Sequence, residues 1–182
     1  MQKSKGFVSA VMLVVTMAMV ACASTRTQKS AGEQVDDSVT TGRVKAALIA
    51  DPVTKAHQID VETFKGTVQL NGFVDSAASK ERATEVAKGT SGVKSVHNNL
   101  TVDTKNRSGG EVVDDGAITA KVKTALAEDS RTKAHQINIE THEGVVQLSG
   151  FVDNAEAKST AGELASAVDH VRSVNNQIDV KK

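Results

Sequence analysis

An internal duplication limits what this chain can fold into more than any other feature. Sliding the sequence over itself by 78 positions aligns Val35–Val102 with Val113–Val180 without a gap, and 35 of the 68 pairs are identical. Shared runs include VDD (Val35–Asp37, Val113–Asp115), KAHQI (Lys55–Ile59, Lys133–Ile137) and TVQLNGFVD at Thr67–Asp75, matched by VVQLSGFVD at Val145–Asp153. Such a repeat means two copies of one small fold. A unit of roughly 70 residues holds a modest core of its own, and two copies are too few for a solenoid.

Within a copy, the periodicities give the elements. Thr40, Val44, Ala47 and Leu48, and likewise Ile118, Val122, Ala125 and Leu126, fall on one face of a helix. Asp51-Pro52 ends the first of these helices, and Asp115 stands where the second could be N-capped. Ile59/Val61 and Ile137/Ile139 alternate as a strand. Turns ending in Gly66 and Gly144 join it to the VQLxGFVD strand as a hairpin. Val68, Leu70 and Val74 alternate with polar residues, the period of a half-buried strand. Gly72 and Gly150 interrupt it, which suggests a bulge or the close approach of another backbone, the helix above being the first candidate. A second helix follows at Ala77–Lys88 and Ala155–Val168, capped by Ser76 or Asp75 and by Asn154 or Asp153. A last strand runs over Ser95–Val102 and Ser173–Val180. The fold class is α+β: two tandem α-β-β-α-β domains, each a three-stranded mixed sheet with two helices covering one face.

These domains occupy residues 35–102 and 113–180, joined by a polar linker, residues 103–112, that contains Gly109-Gly110. The linker reads as flexible, so the copies are expected to melt independently.

Residues 1–22 have the layout of an export signal. Lys3 and Lys5 precede the apolar run Phe7–Val20, which is short for a membrane span, and small residues follow. Met19-Val20-Ala21-Cys22 resembles a bacterial lipobox, although leucine is usual where Met19 stands. Cys22 would then be the lipid-modified first residue, and the Ser/Thr/Gln-containing residues 23–34 would tether the domains to the membrane. Ordinary cleavage after Ala23 is the alternative, because Ala21-Cys22-Ala23 also fits the small-x-small rule. Cys22 is the only cysteine, so no intramolecular disulfide can form. By resemblance to Gram-negative sorting, Ala23 after the cysteine permits transfer to the outer membrane.

The α-β-β-α-β order, the V-x-L-x-G-x-V strand and the V-x-S-V-x-N segment before the last strand (Val93–Asn98, Val171–Asn176) resemble the BON domain of bacterial envelope proteins. The resemblance implies a non-catalytic module without a cofactor. It offers two kinds of tandem relative. One is an outer-membrane lipoprotein that binds anionic phospholipid and supports envelope integrity. The other is a soluble periplasmic osmotic-stress protein, for which a holdase chaperone role is the expectation. Envelope proteins are the other expected partners, and no oligomeric state is assigned.

Charge and motifs narrow the chemistry. With 22 basic and 22 acidic residues the chain lacks the excess of a dedicated nucleic-acid binder. Gly89-Thr90-Ser91-Gly92 matches a GxxG loop, but it lies between a helix and a strand and is absent from the second copy, so it reads as a helix end and a turn. None of the five histidines has a second ligand at metal spacing, no serine or threonine sits in a nucleophile elbow, and Asp75 and Asp153 lack an acid–base partner. The first repeat carries eight basic and eight acidic residues, the second six and eleven. Any anionic-lipid contact is therefore expected on the first repeat, with Lys45, Lys55, Lys65, Lys80, Arg82, Lys88 and Lys94 as candidates for a basic patch.

Overall fold

A computed structural model describes residues 30–54, 59–104 and 109–182, with the side chains of residues 109–113 excluded. Cys22, Lys55 and His57 lie outside the described residues. The first repeat consists of α1 (Ala31–Ala50), β1 (Ile59–Phe64), β2 (Thr67–Val74), α2 (Ala77–Lys88), β3 (Ser95–Asn98) and β4 (Thr101–Val102). The second repeats this as α3 (Gly109–Glu128), β5 (Ile137–His142), β6 (Val145–Val152), α4 (Ala155–Ser166), β7 (Ser173–Asn176) and β8 (Asp179–Val180), with a short 3-10 turn at Ala134–Gln136 before β5.

In each sheet the VQLxGFV strand is central. β2 runs antiparallel to β1 and parallel to β3 and β4, and β6 does the same with β5, β7 and β8. The predicted last strand is thus one path in two segments. Asn98 causes the break. Its Oδ1 accepts from the Leu100 N–H, while its Nδ2 donates to the Lys80 carbonyl and to Thr84 Oγ1 of α2. Leu100, displaced by the break, is buried in the core. Asn176 repeats the arrangement with Ile178 and the Lys158 carbonyl.

Each core lies between its two helices and one sheet face. Val44, Leu48, Val68, Leu70, Val74, Ala83 and Ala87 meet in the first repeat, and Val122, Leu126, Val146, Leu148, Val152, Ala161 and Ala165 in the second. The alanines let α2 and α4 sit close to the sheet.

Both first helices begin earlier than the amphipathic pattern does. Ser30 and Glu33 form a reciprocal capping box that starts α1 at Ala31, and α3 starts at Gly109, so the tether and the linker each end as helix. Asp115 is therefore inside a helix and not a cap. Its carboxylate accepts from the Glu143 and Gly144 N–H groups, as Asp37 does from Lys65 and Gly66. These pairs are the two central residues of the hairpin turns, all with positive φ (51° and 81°, 50° and 73°), the geometry of a type I′ turn. The repeated VDD thus ties the first helix to the hairpin. On α2 and α4 the N-caps are Ser76 and Asn154.

Candidate functional site

Along the central strands β2 and β6, the sheet faces turned away from the helices are closed off from water. They meet each other. Seven of the eight residues in β2, and seven in β6, are buried, so the half-buried reading of these strands is corrected. The polar members of the alternation form a seam between the repeats. Gln69 and Gln147 reach across it reciprocally. Gln147 Oε1 accepts from the Gly72 N–H at 2.8 Å, and Gln69 Oε1 from the Gly150 N–H at 2.9 Å. Gln147 Nε2 donates to the Asn99 carbonyl at 2.7 Å, and Gln69 Nε2 to Asp179 Oδ2 at 2.6 Å.

This arrangement gives the glycines their setting. Pairing with β1 and β5 runs one residue to one through Gly72 and Gly150, so neither is a bulge. Neither β3 nor β4 pairs with Asn71 or Gly72, which leaves the Gly72 N–H to the glutamine opposite. Their φ values are +112° and +118°, and a Cβ on Gly150 would stand 2.2 Å from the Gln136 carbonyl oxygen. The backbone that comes close is therefore the approach to β5, where the sequence had suggested the helix above.

Around the glutamines the two copies differ, and the differences are complementary. At one end Phe64 stacks on Phe151 with centroids 5.3 Å apart; at the other Phe73 stacks on His142 at 4.6 Å. Buried His142 also pairs with Asp103 at 2.7 Å, and His97 with Asp179 at 2.6 Å. Asn138 Nδ2 donates to Glu62 Oε1. A first repeat paired with another first repeat would set Asp60, the counterpart of Asn138, against Glu62. Two second repeats would set Lys181, the counterpart of Asp103, against His142. The seam therefore selects one copy of each. Asn138→Asp is expected to lower stability by about 1 kcal/mol through like-charge repulsion, and Glu62→Gln to restore it, as read by thermal melts of the two variants.

A groove of about 660 Å³ opens at the Phe64–Phe151 end, lined also by Lys133, His135, Asp153 and Lys181. Asp153 accepts from the ammonium groups of Lys133 and Lys181, which together hold its carboxyl below the usual carboxylate range. The Lys65 and Lys181 ammoniums lie 5.5 and 5.7 Å from the Phe64 ring centroid.

Among the described residues, the basic candidates proposed from the sequence stand at more than one place on the first repeat. Lys65 and Lys94 meet at the hairpin turn, where the Lys94 stem covers Gly66. Arg82 stands at the other end of α1, bonded to Asp51 and Glu85, and these carboxylates hold its guanidinium above the ordinary arginine value. The residues that mark the two ends, Asp37 and Asp51, are about 21 Å apart along a helix rising 1.5 Å per residue. Lys80 and Lys88 are on α2, and Lys45 is on α1. Among the described residues no group of three or more His, Cys, Asp or Glu is placed to hold a metal ion.

Residues 36–104 and 114–182 match the model of the BON domain. The chain is 42% identical over 151 residues to osmotically-inducible protein Y of Escherichia coli, covering 82% of this chain and 75% of that protein. It is 33% identical over 147 residues to outer membrane lipoprotein DolP of Haemophilus influenzae (80% and 75% covered), and 34% over 153 residues to a 21 kDa hemolysin of Actinobacillus pleuropneumoniae (84% and 76%). With both repeats matched and the α-β-β-α-β order present twice, this chain belongs to the BON-domain family.

Proposed function

We propose that this chain is a non-catalytic envelope protein, anchored through lipid on Cys22, that binds phospholipid or an envelope partner and supports envelope integrity under stress. One observation carries the proposal. Met19-Val20-Ala21-Cys22 and a short polar tether lead directly into a two-BON unit similar to an outer membrane lipoprotein over 80% of the chain. Because the repeats cover each other's sheets, the surfaces offered to a partner are the helices and the groove at the seam.

Metabolic labelling with a fatty acid tests the anchor. Wild-type protein is expected to take up label, stay with membranes washed in high salt and have a mature mass beginning at Cys22, whereas Cys22→Ser does none of these. Two or more acyl chains hold a protein stably where one does not. Unlabelled, soluble protein beginning at Ser24 would remove the anchor from the proposal. The identity to osmotically-inducible protein Y favours a second reading, a soluble periplasmic stress protein that holds unfolded clients. Such a protein works equally well without Cys22.

A further inference from the structure

The outward side of α1 is apolar where a surface helix is normally polar. The buried side is set by Asp37, Thr40, Val44 and Leu48. At about 100° per residue, Val35, Val39, Gly42, Ala46 and Ile49 lie opposite Val44. Val35 is 63% exposed, Val39 44% and Ile49 73%, and Val53 in the following turn is 44% exposed. These are four of the five large exposed hydrophobic residues among those described. The matching helix of the second repeat keeps a valine, Val113, at the position of Val35 but loses the rest of this bulk, with Ala117, Ala127 and Arg131 at the positions of Val39, Ile49 and Val53. Arg43 and Lys45 flank the apolar side, one on each edge, and both are exposed.

We infer that this face of α1 is a membrane-docking surface, lying along a bilayer with its valines and Ile49 among the upper acyl chains and Arg43 and Lys45 at anionic headgroups. The inference rests on the phospholipid reading above and assigns it a surface. Two observations commit the face to a bilayer. Ser30 follows Cys22 by eight residues, so an anchor at Cys22 holds the start of α1 within about 28 Å of its lipid, at 3.5 Å per extended residue. The two basic flanks complement anionic headgroups, with stems long enough to keep their charges at the interface while the apolar side is buried. The second repeat cannot cover this face, because its contact with the first is through the sheets.

The test uses the mature chain carrying Cys22→Ser, so that no acyl anchor contributes, and vesicles of phosphatidylethanolamine mixed with phosphatidylglycerol. The chain is expected to bind them in a salt-sensitive way, and Val39→Asp with Ile49→Asp to weaken binding about tenfold or more while leaving the melting temperature unchanged. The protein has no tryptophan, so Ile49→Trp provides a reporter whose emission shifts to the blue on binding; Ala127→Trp, at the equivalent site of the second repeat, does not shift. Vesicle binding undiminished by the aspartate pair overturns the assignment to α1 and leaves the phospholipid reading standing. Absence of vesicle binding by the parent chain overturns both. A blue shift of the Ile49→Trp reporter that grows with protein concentration without vesicles shows a second copy on this face and overturns the bilayer as its occupant.

Discussion

Gly150→Val is expected to destabilise the protein by about 3–5 kcal/mol, the combined effect of a side chain at a forbidden φ and of overpacking in a filled interior. The backbone at Gly150 has φ +118°, and its new Cβ would stand 2.2 Å from the Gln136 carbonyl oxygen, a main-chain atom that cannot rotate away. Relief requires β5 and β6 to separate locally, which also withdraws the Gly150 N–H from Gln69 in the other repeat. For this reason the damage should not remain in the second repeat. Calorimetry is expected to show one transition lowered by roughly 10 °C, at about 2–4 °C per kcal/mol for a unit of this size. Two transitions, one still at the wild-type temperature, would mean that the seam does not couple the copies and that they melt separately, as the polar linker alone suggests.

Gln147→Ala should be nearly as damaging, although the residue is polar and lies on a strand face that sequence assigns to solvent. Gln147 is 2% exposed and satisfies two main-chain groups of the first repeat, the Gly72 N–H and the Asn99 carbonyl. Its removal leaves both unsatisfied in a water-poor seam, at about 1–3 kcal/mol each, and opens a void besides. The expected loss is about 3–5 kcal/mol by urea denaturation, with Gln69→Ala similar. A loss below about 0.5 kcal/mol, the size of an ordinary surface substitution, would show that water replaces the side chain and that the reciprocal bonds add little.

The elements of each repeat were legible in the sequence because each obeys a local rule. Alternation gave the strands, the 3.6-residue period gave the helices, and the glycines gave the turns. The seam was not legible, for a physical reason. A strand whose second face meets a polar partner face has the same alternation as one whose second face meets water. Gln69 and Gln147 therefore read as solvated, and the one available signal was their identity in both copies. Asp115 was misread for a related reason. Alanine, glycine and acidic residues carry a helix without an apolar period, so the amphipathic onset was taken for the helix start. The described basic candidates stand apart because residues on α1, the hairpin and α2 occupy different ends of the repeat. The apolar outward side of α1 was written plainly in Val35, Val39 and Ile49, but only the known direction of the core separates it from the buried side.

Only residues 103–108 lie between the end of β4 and the start of α3. A connection this short holds each sheet face in the presence of its counterpart at an effective concentration of the order of millimolar. A complementary face on another chain, at micromolar concentration, competes at a disadvantage of about a thousandfold. The same short connection that makes the two copies look like beads on a string in the sequence is thus what keeps each copy's partner within its own chain.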